Sequence, residues 1–263
     1  MKFFDSHSHY YDERFAEEYP GGAPALLDGL FDSTVSGIIN VATSPKNCLL
    51  AIEQAKKYKN MYTALGIHPT DATYLSLRPE DAVDAVRKLI LDKQNKCVAV
   101  GEIGLDYHYP DTDKKIQLEY FDMQLSLARE LSLPVSIHDR DSHADVLEML
   151  KRYPDVRGVL HSFSGSVEMA RELIRLGYMI SFSGVLTFTN ARRSREVAQI
   201  LPHECVMIET DCPYLAPHPN RGKLNHSGYL EYTNRTLAEI FGIDEAECAA
   251  LTEANAKGFF CID

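Results

Sequence analysis

Eight short apolar runs, separated by longer amphipathic stretches, constrain the fold of this chain more than any other feature. They are Phe3–Asp5, Gly37–Val41, Met61–Ile67, Val98–Glu102, Val135–His138, Val159–His161, Met179–Ser183 and Val206–Glu209. Each is rich in Val, Ile or Phe, as strands buried on both faces of a parallel sheet require. Between them helical spacing recurs, for example over Ile116–Leu131, where Leu118, Phe121, Leu125 and Ala128 repeat at helical intervals. Ser44-Pro45, Arg78-Pro79 and Asp111-Thr112 mark helix starts, and helices near Tyr229–Phe241 and Glu245–Phe260 close the chain. Eight strand–helix units predict an α/β protein of the closed (β/α)8 TIM-barrel type. An open doubly wound sheet is the alternative, because a strand count alone does not prove closure. The length of 263 residues matches such a barrel, usually about 250, so one barrel domain over residues 1–263 is expected. The Pro-rich stretch Cys212–Asn225 follows the last strand and would fold over the mouth of the barrel.

Composition narrows the class further. With 45% hydrophobic residues and no low-complexity tract, the chain is globular. Its six cysteines form no C-x-x-C pair and are expected to be buried reduced thiols. No apolar segment follows the basic start and none is long enough to span a bilayer, so a cytoplasmic protein without membrane partners is expected. The net charge of −11 counts against tight non-specific binding of DNA, which a basic footprint normally supports. It does not count against phosphate-ester chemistry at a metal centre, where bound cations reverse the local charge.

Metal-ligand residue types gather at the C-terminal ends of the runs, the end at which barrel enzymes keep their sites. The first ends Asp5-Ser6-His7-Ser8-His9, and in an extended chain Asp5, His7 and His9 face one side. H-x-H alone is weak. Glu102 stands in an apolar run, where a carboxylate is costly unless it is paired with an arginine or binds a metal. His138 and His161 close two further runs, and Asp211 stands two residues beyond the last. A single buried histidine is usually a core residue, but five strand ends bearing His, Glu or Asp together point to metal. Imidazole and carboxylate without thiolate suit Zn, Mn or Mg. Six ligands exceed one tetrahedral site and suit two divalent metal ions sharing a carboxylate.

The runs FDSHSHY, AVGEIGLDYHY, LPVSIHDRDSHADVLEML, GVLHSFSG and IETDCPYLAPHPNRGKLN resemble, in order and nearly end to end, the signatures of the TatD family of metal-dependent deoxyribonucleases, in the branch that keeps H-x-H. The resemblance implies an amidohydrolase-like barrel and a 3′–5′ exonuclease. It implies that His7, His9, Glu102 and Asp211 hold one metal and Glu102, His138 and His161 the other. Glu102 would bridge them, and Asp211 would orient or deprotonate the attacking water. DNA, as single strands or 3′ ends, would be the substrate, with no organic cofactor. His68, ending the third run, is implied to contact substrate, and Arg221, Gly222 and Asn225 match an element that meets substrate phosphate. Other histidines, His108, His143, His203 and His218, lie in polar stretches and are expected to be solvated.

The chain departs from the family pattern at Thr70, where a second histidine is common, at Ser162, where cysteine is usual, and at Asn225-His226-Ser227, where N-E-P is usual. None is a proposed ligand, but all lie near the substrate face. Substrate identity is therefore the open part. The alternative is a metal-dependent amidase or esterase acting on a small molecule, since the chemistry that attacks phosphorus also attacks a carbonyl.

Overall fold

In the computed structural model, which describes residues 1–262, the strands are β1 (Phe3–Ser8), β2 (Val35–Val41), β3 (Met61–Leu65), β4 (Cys97–Asp106), β5 (Val135–Arg140), β6 (Gly158–Leu160), β7 (Met179–Phe182) and β8 (Val206–Ile208). All neighbouring pairs are parallel and the order is sequential from β1 to β8. The seam between the last strand and the first is closed by polar bonds in place of a long ladder. Ser6 Oγ donates to the Ile208 carbonyl at 3.0 Å, Asp211 N donates to His7 O at 2.9 Å and His9 N to Cys212 O at 2.8 Å. A parallel bridge joins Ser8 to Cys212. The fold is thus a (β/α)8 barrel, and the open sheet is excluded.

Residues of alternating parity divide the core. Phe4, Ile39, Ala64, Ala99, Val159 and Met207 form one cluster with Phe259 and Phe260 of the closing helix. Leu65, Val100, Ile137, Leu160, Ile180 and Ile208 pack instead with helix residues such as Phe121, Leu125 and Leu173. Burial on both faces explains why the strands read as continuous apolar runs.

Helix boundaries follow capping chemistry. Ser44 Oγ accepts from Asn47 N and starts the helix Pro45–Ala55. The helix expected over Ile116–Leu131 runs from Lys114, because Asp113, and not Asp111 or Thr112, accepts from Lys115 N and Ile116 N. The chain closes with the helices Leu230–Phe241 and Glu245–Phe260.

Strand β4 outruns its expected end by four residues, pairing Ile103 to Asp106 with Ile137 to Arg140. Gly104, at φ +134°, makes this possible: a Cβ there would collide with the His138 carbonyl oxygen. Strand β1 departs from simple alternation, with a register shift between Asp5 and Ser8. Asp5 consequently does not face the same side as His7 and His9. Its carboxylate accepts from Thr210 N at 3.0 Å, Thr210 Oγ1 at 2.6 Å and Ser227 Oγ at 2.6 Å, which ties the seam together. Burial still pushes this carboxyl up to about 6. The cysteines are all free thiols; Cys48, Cys212 and Cys248 are buried, whereas Cys261 is exposed. Among the described residues no helix is long and apolar enough to cross a membrane.

Candidate metal centre

The chain delivers its candidate ligands from separate strand ends to one point. His7 lies in β1 and His9 just beyond it, Glu102 in β4, His138 in β5, His161 directly after β6, and Asp211 three residues after β8. His7 Nε2 lies 3.2 Å from His9 Nε2, and His9 Nε2 lies 3.2 Å from Asp211 Oδ1. On the other side, His138 Nδ1 lies 3.1 Å from His161 Nε2. Glu102 stands between the two groups. Its Oε2 is 3.4 Å from His7 Nε2 and 3.7 Å from His9 Nε2. Its Oε1 is 2.9 Å from His138 Nδ1 and 2.8 Å from His161 Nε2. Each carboxylate oxygen therefore serves a different cluster.

The outward nitrogen of every one of these imidazoles meets an oxygen. His7 Nδ1 lies 3.2 Å from Ser136 Oγ, His9 Nδ1 2.7 Å from the Val41 carbonyl, His161 Nδ1 3.2 Å from Glu209 Oε1, and His138 Nε2 3.1 Å from Asp106 Oδ2. An outward N–H bound to an acceptor fixes the tautomer and turns a lone pair inward. Inward lone pairs around two carboxylates fit divalent cations: the ligand atoms of His7, His9 and Asp211 lie within 4.8 Å of one another, as do those of His7, Glu102 and His161, and a third grouping joins His68 to Glu102 and His138.

His68 differs. Its Nδ1 accepts from Thr70 N at 3.2 Å, which leaves the proton of the neutral ring on Nε2, 3.5 Å from Glu102 Oε1. Burial drives its pKa down to about 3, so the ring is neutral. It offers a hydrogen-bond donor where the other four imidazoles offer lone pairs. The backbone N–H of residue 70 thus sets the His68 tautomer, and the Thr70 hydroxyl lies 2.7 Å from the same Nδ1.

Electrostatics follow from this crowding. Burial pushes the Glu102 carboxyl up, but His161, His68 and His7 and the bond to His138 outweigh it and hold it well below the carboxylate range. Burial likewise opposes ionisation of Asp211, and its bond to His9 and the charges of nearby imidazoles hold it below its usual value. Burial opposes protonation of His161, yet Glu102 and Glu209 raise it well above an ordinary histidine. Such a cluster is short of positive charge, which a metal ion supplies.

The centre opens into a cavity of about 710 Å³, whose walls include Tyr11, His68, Tyr109, Arg140, Phe163 and Tyr214. Two residues expected near substrate stand elsewhere. Arg221 is exposed, with its guanidinium 4.3 Å from the Phe188 ring centroid, and is not among the lining residues. Asn225 is fully buried and fully committed: Nδ2 donates to Thr210 O at 2.9 Å and Tyr214 O at 2.6 Å, and Oδ1 accepts from His226 N at 2.9 Å. Both lie in the loop after β8, where Asn225 bonds the loop backbone and Arg221 packs on Phe188.

Sequence reading overlooked Asp106, Glu209 and Arg140. The strand period was the available signal, since each sits two or four residues from a proposed ligand: Glu102 and Asp106, Glu209 and Asp211, His138 and Arg140. His143, expected to be solvated, pairs with Asp139 Oδ2 at 2.8 Å.

A family model described as "TatD related DNase" matches residues 4–261. YabD of Bacillus subtilis, described as an uncharacterized metal-dependent hydrolase, is 37% identical over 262 residues, covering 99% of each chain. YcfH of Escherichia coli, described in the same words, is 37% identical over 265 residues, covering 100% of this chain and 97% of the relative. The crystal structure of YJJV, a TatD homologue from Escherichia coli, superposes with a TM-score of 0.90 at 30% identity, covering 99% of this chain and 98% of that one.

Proposed function

The chain belongs to the TatD-related DNase family and is a metal-dependent hydrolase; from that premise we propose that it is a phosphodiesterase that releases nucleotides from the 3′ ends of single-stranded DNA. The observation that carries the reading is the division of Glu102, with Oε1 toward His138 and His161 and Oε2 toward His7 and His9. A shared carboxylate of this kind suits two divalent cations, Zn, Mn or Mg, held by His7, His9, Glu102 and Asp211 on one side and Glu102, His138 and His161 on the other.

Cations bound there acidify water and neutralise phosphate charge. The remaining work belongs to the chain. Asp211, ionised and at the cavity wall, orients the attacking water and takes its proton. Glu102 fixes the two clusters relative to each other. His68 donates from Nε2 to a phosphoryl oxygen, and stays a donor because Thr70 N occupies Nδ1. Phe163, Tyr109 and Tyr214 wall the cavity with aromatic surface on which a base stacks.

The test is release of labelled nucleotides from single-stranded DNA by purified protein loaded with Mg, Mn or Zn. Wild type should release them and Asp211→Asn should lose at least about a hundredfold in rate, as expected for a general base. No release with any of these metals overturns the reading. The net charge of −11 favours a second reading, amide or ester hydrolysis of a small molecule; turnover of an acyl or amide panel above the metal-free control decides for it.

A further inference from the structure

The chain has 27 Lys and Arg against 38 Asp and Glu. Among the residues lining the cavity, Arg140 alone is a lysine or arginine. It ends β5 two residues beyond His138, so strand periodicity brings it to the same side as that imidazole. Tyr109 braces it: Nη1 donates to the phenol oxygen at 3.3 Å, and Cζ lies 5.4 Å from the ring centroid.

The flanking carboxylates are engaged elsewhere. Asp139 Oδ2 lies 2.8 Å from His143 Nδ1 and its Oδ1 accepts from Ser142 Oγ at 2.8 Å. Asp141 Oδ2 lies 3.0 Å from His108 Nδ1. The Arg140 guanidinium therefore has no carboxylate within ion-pair distance among the described residues. An arginine fork with no anion, at the mouth of a site for phosphate esters, matches a phosphate oxygen pair.

A protein that tracks a phosphate backbone needs several such contacts, each adding to the salt dependence of binding. One arginine serves one phosphate. The cavity volume of about 710 Å³ also lies in the range of small-ligand sites. We propose that Arg140, braced by Tyr109, is the subsite for the single phosphate neighbouring the scissile one, so that the enzyme grips only the last two phosphates of a chain. This inference rests on the phosphodiesterase reading, and its test separates the two.

The experiment titrates metal-loaded protein with hydrolysis-resistant phosphorothioate oligothymidylates of two, three and four nucleotides, which carry one, two and three phosphates. The second phosphate should tighten binding by about tenfold, the order of one charge-assisted contact, and the third should add nothing measurable. Arg140→Gln should abolish the step at the second phosphate, and Arg140→Lys, which keeps the charge without the fork, should retain a smaller step. A step that survives in Arg140→Gln, no step in wild type, or an equal further step at the third phosphate overturns the proposal. Cleavage of the ordinary trinucleotide is assayed in parallel. Failure there overturns the phosphodiesterase reading and with it the scissile-neighbour assignment, whereas cleavage without an Arg140-dependent binding step overturns the Arg140 proposal alone.

Discussion

Asp106 Oδ2 lies 3.1 Å from His138 Nε2, on the ring edge opposite the Nδ1 that faces Glu102 Oε1 at 2.9 Å. The carboxylate therefore selects which nitrogen of His138 turns its lone pair toward Glu102. Asp106→Asn keeps the volume but removes the charge and presents an amide that can reverse the tautomer. Metal affinity, measured by competition with a chelating dye, should fall by about 10–100-fold. Unchanged affinity would show that the His138 orientation is set elsewhere.

Metal removal should destabilise the fold. The candidate ligand side chains are largely buried and converge only in the folded chain, so a cation binds there and has no comparable site in the unfolded one. At a thousandfold excess over the dissociation constant, binding is worth about 4 kcal/mol. Chelation followed by calorimetry should lower Tm by several degrees, and adding metal back should restore it.

His226 gives the stability a pH dependence. Burial holds its imidazole at about 4, below the ordinary 6.5, so the folded protein refuses a proton that the unfolded chain accepts. This contribution is complete above about pH 6.5 and drains away as the pH falls toward 4. His226→Asn, which can still accept from Gly228 N in place of Nδ1, should flatten that loss. Urea midpoints at pH 7 and pH 5 measure it: the variant's drop should be smaller than that of wild type.

Asn225 should prove a strut of the loop after β8. Replacing it by alanine strands the Thr210 and Tyr214 carbonyls that it serves at 2.9 and 2.6 Å. The expected cost is about 1–3 kcal/mol, chiefly from the buried Thr210 acceptor losing its donor. Denaturant unfolding of Asn225→Ala checks this, and a cost below about 0.5 kcal/mol, the range of neutral surface changes, contradicts it.

Much of this was legible in the sequence for a definite reason. A parallel barrel puts all its strand ends on one rim, so one-dimensional coincidence of His, Glu and Asp at those ends becomes three-dimensional convergence. That is how the convergence of His7, His9, Glu102, His138, His161 and Asp211 could be expected from the sequence. Alternation within a strand was a poorer guide. It failed at Asp5, where a register shift redirects the carboxylate to Thr210 and Ser227. It would have found Asp106 and Arg140 had it been carried past the expected ends of β4 and β5. The loop after β8 was least legible. Whether Asn225 faces substrate or its own backbone depends on loop geometry, and no residue period encodes that. The tautomers were also hidden, because they are fixed by partners distant in the chain, such as Ser136 for His7 and Glu209 for His161.

The division of Glu102 between two cations is tested most directly by anomalous diffraction from crystals of the protein loaded with manganese or zinc. The expected map has two peaks flanking Glu102, one beside His7, His9 and Asp211, the other beside His138 and His161. A map with one peak, or with none at these side chains, contradicts it.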